Sequence, residues 1–103
     1  MRNVYENVPS NQIEKQKRYF YGAILDTLYK FEEGYPFLDN RLQNLINQVR
    51  GSNVIFGEQP EVLTIVALLE TARNDHSQLR NCVLNAINLV DALNGGDSDV
   101  RGL

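Results

Sequence analysis

The sequence predicts an all-α protein, a bundle of three or four helices in one domain, and three observations carry that prediction. First, apolar positions across Pro60–Leu93 recur at alternating steps of three and four: Val62, Ile65, Leu69, Ala72, His76, Leu79, Val83, Ala86, Val90 and Leu93. This is the spacing of a helical seam, whereas a strand would alternate at two. Second, Ile13–Phe31 and Leu38–Val49 carry the same helical period. Third, 103 residues that are 43% hydrophobic and 22% charged suffice for one modest core. The expected organisation is an N-terminal arm at 1–9, a bundle at 10–94 and a flexible tail at 95–103.

Ser10 or Asn11 starts the first helix, and Asn11 with Glu14 three residues later fits a capping box. Its inner face is Ile13, Lys17, Phe20, Ile24, Leu28 and Phe31, widened by Tyr21 and Leu25. Gly34 ends it near Glu33, and Pro36 cannot continue it. The second helix runs from Pro36 or Asp39 to Arg50, with Leu38, Leu42, Leu45, Ile46 and Val49 inward and Gly51 as the residue past its end. A loop at Gly51–Gln59 follows, holding Val54, Ile55 and Phe56 together. Pro60 and Glu61 then open the organising stretch, and Asn94-Gly95-Gly96 stops it.

Whether 60–94 is one helix or two depends on Asp75-His76-Ser77-Gln78. These residues resemble a capping box and are mediocre helix formers, yet the seam keeps its phase through His76. One unbroken helix would be about 50 Å long, against a radius of gyration of about 13 Å for a compact domain of this size. A break near 74–77 would instead close a four-helix bundle.

Charge narrows the function classes. The net charge is −3. Seven positive charges before Gly51 balance six negative ones, and three positive face seven negative from there on. A general nucleic-acid binder or an anionic-membrane binder would lean the other way. Lys15, Lys17 and Arg18, with Tyr19 and Tyr21 beside them, form a small basic cluster that reads as a solvated face. The chain has one cysteine, Cys82, on an apolar arc, which fits a small hydrophobe in a reducing compartment. The N-terminus lacks the apolar core of a signal peptide and the longest apolar run is far shorter than a membrane span. The expectation is a cytoplasmic protein without membrane contact.

Motifs for chemistry are sparse. His76 is the sole histidine, and His76-Ser77-Gln78-Leu79-Arg80-Asn81 loosely resembles the box of an all-helical phosphotransfer domain. The basic residue is one position off, no glycine follows it, and His76 falls on the apolar seam. Glu32, Glu33 and Asp39, with Glu70 and Asp75, are the acids that a magnesium-dependent all-α hydrolase would use, but Glu70 and Asp75 are five apart and do not share a helix face. No glycine-rich phosphate loop or nucleophile motif is present, and no cofactor is expected.

The more unusual pattern is an amide stripe, Asn74, Gln78, Asn81, Asn85 and Asn88, at steps of four and three opposite the seam. Asn40, Gln43, Asn44 and Asn47 repeat it on the second helix. From Asn81 to Asn94 the one charged residue is Asp91. Around Val83, the apolar residues from Leu79 to Leu93 cover roughly two thirds of the helix circumference. These features predict a non-enzymatic interaction or regulatory protein with a protein partner. It would self-associate as a homo-oligomer through Gln78, Asn81, Cys82, Leu84, Asn85, Ile87, Asn88 and Leu89, with Val54, Ile55 and Phe56 as a second partner-binding loop. Phosphotransfer through His76 is the alternative reading, and the carboxylate-metal hydrolase a third.

Overall fold

The computed structural model describes residues 10–93, and within them the chain is all-α. Helix α1 spans Ser10–Glu32, α2 Leu38–Gly51, the short α3 Asn53–Phe56, α4 Pro60–Asn74 and α5 Leu79–Ala92. A 3₁₀ turn at His76–Gln78 joins α4 to α5. The seam through Pro60–Leu93 is therefore two helices, and its constant phase comes from two helices that each turn their apolar side toward one shared core. The radius of gyration is 13.7 Å, close to that of a compact domain of this size. The arm at 1–9, the stop at Asn94-Gly95-Gly96 and the tail lie outside the described residues.

The four long helices form a ring. α4 packs against α5 and α2, and α1 against α5 and α2, with the α1–α2 seam the most open. Short connections make successive helices antiparallel neighbours. The centre is filled by Phe20 and Ile24 of α1, Leu42 and Ile46 of α2, Ile65 and Leu69 of α4, and Leu79, Val83 and Val90 of α5, all essentially inaccessible to water. Phe56 of α3 plugs one end, its ring 6.1 Å from that of Phe20.

Each turn has a local cause. Gly34 adopts φ 78°, a left-handed conformation open to glycine. Its N–H reaches Phe31 O at 3.1 Å and that of Tyr35 reaches Lys30 O at 2.9 Å, the paired bonds of a Schellman motif. Gly51, by contrast, is the last residue of α2 and not the residue beyond it. The chain stays right-handed through Ser52, whose hydroxyl donates to Val49 O at 2.5 Å, and runs on into α3. The reversal falls at Gly57, φ 84°. The expected loop at Gly51–Gln59 is thus largely one helical turn, because Ile55 and Phe56 find core to pack on while Val54 stays exposed. Pro60 opens α4 with Glu61 in its first turn, as expected. Beyond Asn74 the Asp75 carboxylate accepts the Ser77 N–H at 3.1 Å and the Ser77 hydroxyl at 2.6 Å, starting the 3₁₀ turn.

Candidate interaction surface

The structure separates the residues predicted to lie at an interface. Cys82 and Ile87 are buried inside the protomer. The turn at Asp75 swings α5 onto α1, which covers the apolar arc at Cys82 and Ile87 and leaves Leu84 and part of Leu89 outside. Gln78, Asn81, Leu84, Asn85 and Asn88 are exposed and Leu89 is half-buried. Of the predicted partner loop, Phe56 is in the core, Ile55 packs against it, and Val54 alone is freely exposed.

The exposed amides of α5 continue onto α4. Asn74 is exposed, and above it on the outer side of α4 lie Thr71, Ala67 and Thr64. The Thr71 hydroxyl donates to Ala67 O at 2.9 Å and that of Thr64 to Pro60 O at 3.1 Å. Both donors are satisfied within the helix, so covering them orphans no hydroxyl donor. Leu63 at one end of this face is 73% exposed. Along Val62–Leu69, Val62, Ile65, Val66 and Leu69 are buried, whereas Leu63, Thr64 and Ala67 are exposed.

Charge is nearly missing from this face. Among the exposed residues of 60–93, Asp75 and Arg80 alone are charged. Both are held locally at the turn, Asp75 by Ser77 and Arg80 by Glu32 at 3.2 Å. Glu70 and Arg73 lean to the other side: Glu70 meets Arg50 of α2 at 2.8 Å, and Arg73 donates to Gln43 of α2. The hydrogen bonds from Ser77 hold the Asp75 carboxyl below the usual carboxylate range.

The sites considered for chemistry disperse. His76 sits in the 3₁₀ turn and not mid-helix, its Nε2 2.8 Å from Asp39 Oδ1 and its ring edge-on to Phe31 at 5.8 Å. It ties the α4–α5 turn to the α1–α2 turn. Glu32, Asp39, Glu70 and Asp75 engage four separate partners. Among the described residues no three metal-ligating side chains gather. The basic cluster does not exist as a surface: Lys17 is 1% exposed, while Lys15 and Arg18 face solvent. Lys17 Nζ donates to Asp91 O at 3.1 Å and Leu93 O at 2.6 Å, tying α1 to the end of α5. Tyr19 is bonded to Gln48 of α2, and Tyr21 packs on the core.

Sequence reasoning passed over Thr64, Ala67 and Thr71. Small residues inside an apolar run looked like core, and the missing signal was their common spacing of three and four away from Ile65 and Leu69. No helix among the described residues is long and apolar enough to cross a membrane. No family model matches the chain, and no curated protein or solved structure matches it significantly.

Proposed function

We propose that this is a non-enzymatic interaction protein that self-associates through the outer face of the α4–α5 hairpin. The observation that carries the reading is the strip of exposed side chains running from Thr64 through Asn74 to Asn88, in which charge is confined to Asp75 and Arg80 at the turn. Near a two-fold axis each residue meets its own copy, so a charge there faces a like charge. An amide has both donors and an acceptor and pairs with a second amide in either direction. Threonines already bonded to their helix add contact area at little desolvation cost. Leu84, 46% exposed, and Leu89 supply apolar contact beside the amides, and interface centres are depleted in charge.

The mass in solution tests this. Light scattering on the full chain at tens of micromolar should return twice the 11.7 kDa protomer. Asn85→Lys, which brings two ammonium groups together across the axis, should return the protomer mass, and so should Leu84→Glu. Both positions are exposed, so both variants should keep wild-type helicity. A protomer mass for the wild type overturns the proposal.

A further inference from the structure

The open seam between α1 and α2 is a groove of about 410 Å³, on helices that take no part in the proposed self-association. Its floor is Ala23 and Thr27 of α1 with Leu45 of α2, and the small size of Ala23 and Thr27 makes its depth. The Thr27 hydroxyl donates to Ala23 O at 2.9 Å, so the floor has no unsatisfied hydroxyl donor. At the turn end stand Tyr35 and Phe37, edge to face at 5.9 Å, with Phe37 60% exposed. At the other end the Tyr19 hydroxyl donates to Gln48 Oε1 at 2.9 Å. Three of the large apolar or aromatic side chains that the protein leaves exposed are thus on this one groove.

We propose that this groove binds an extended, uncharged peptide segment of a partner protein. Three features select that occupant. The first is pitch. Asn40, Asn44 and Gln48 line one wall at successive steps of four, about 6 Å apart along the helix axis. An extended chain repeats its outward backbone groups every two residues, about 6.6 Å. A ladder of amides with both donors and acceptors therefore stays in step with a peptide backbone over about four residues.

The second is an orphaned donor. Arg41 binds Asp26 through Nη2, while its Nε is buried and, among the described residues, has no hydrogen-bond partner. A buried donor left unpaired is costly, and a small shift of the Arg41 side chain that opens Nε to the groove lets an acceptor bound there relieve it. A peptide carbonyl is such an acceptor. The third is charge. Asp26 already neutralises Arg41, and the other lining residues are uncharged. Nothing in the groove offsets the desolvation of a charged ligand. The Tyr35–Phe37 corner then receives an apolar side chain of the peptide, with proline or an aromatic as the best fit to two rings.

A random heptapeptide display library, selected on the full chain, tests this directly. Selected peptides should be uncharged and enriched in proline or aromatic residues. Titrated into ¹⁵N-labelled protein, they should shift amides of Ala23, Thr27, Tyr35, Asn40 and Asn44. Asn44→Ala, at an exposed position, should weaken binding about tenfold, the worth of one good hydrogen bond. Arg41→Lys, which keeps the charge opposite Asp26 and removes Nε, should weaken it by a similar factor. Asn85→Lys should leave peptide affinity unchanged, which separates this groove from the α4–α5 face. No selected binder, highly charged binders, or shifts confined to α5 would overturn the proposal. So would groove shifts produced by a neutral oligosaccharide such as maltotriose and by no peptide.

Discussion

Lys17 is the residue at which sequence and structure part most clearly. Its position on the inner face of α1 was legible from spacing, and its charge pulled the reading toward a basic surface. A lysine is tolerated at a buried position when its ammonium finds carbonyls, and the last turn of a helix offers carbonyls with no partner of their own. Lys17 therefore acts as a C-terminal clasp on α5 supplied by another helix. Lys17→Met keeps the stem and loses the donors, and should cost about 1.5–3 kcal/mol. Urea unfolding measures the loss, and hydrogen exchange should locate it at Asp91–Leu93. A cost below about 0.5 kcal/mol would show that water replaces the ammonium without penalty. Cys82 is a simpler case. Burial, and after it the charge of Asp75, push its thiol above the ordinary range. It should react with Ellman's reagent far more slowly in the native protein than in denaturant, and equal rates would mean that α5 opens freely.

At the scale of elements, the position of every long helix was readable from periodicity, and most turns from glycine and proline. Two connections were not, for different reasons. Gly51 looks like a helix stop, but whether glycine stops a helix depends on its backbone angle, and Ser52 carries the right-handed path forward instead. The break at Asp75 was ambiguous because local capping chemistry and seam phase point in opposite directions. Compactness decides it, and compactness is not a local property. Asp75 consequently holds the turn. Its carboxyl is held low by Ser77, so its contribution is present above the ordinary carboxylate pKa and is lost as pH falls through the lowered folded value. Asp75→Asn removes the titration while keeping an acceptor. The stability gap between wild type and Asp75→Asn should be largest at neutral pH and close in acid, followed by urea midpoints at several pH values. A gap that is constant with pH would mean that the carboxylate charge is irrelevant to the turn.

For the whole molecule, the amides of α2 and α5 were legible as stripes, but the surfaces they belong to were not. The face on α4–α5 exists only once the turn at Asp75 sets two helices side by side. The groove on α1–α2 depends on Ala23 and Thr27 being small where α2 passes, a coincidence of distant positions that no period reports. The same ring places the ion pairs: Arg41–Asp26 joins α2 to α1, Arg50–Glu70 joins α2 to α4, and Arg80–Glu32 joins α5 to α1. Each spans a helix pair and each is substantially exposed, so each contributes about 0–1 kcal/mol and is screened by salt. The buried side chains at the centre of the ring contribute far more, since deleting one large aliphatic group from such a core costs about 2–5 kcal/mol. The pairs thus select which helices neighbour one another, while the core holds them there. Raising sodium chloride to about 0.5 M, where the screening length is only a few ångströms, should change the unfolding free energy by less than about 1 kcal/mol. Paired urea melts at low and high salt measure this, and a loss comparable to that of a core deletion would show that the ring is held together by its charges.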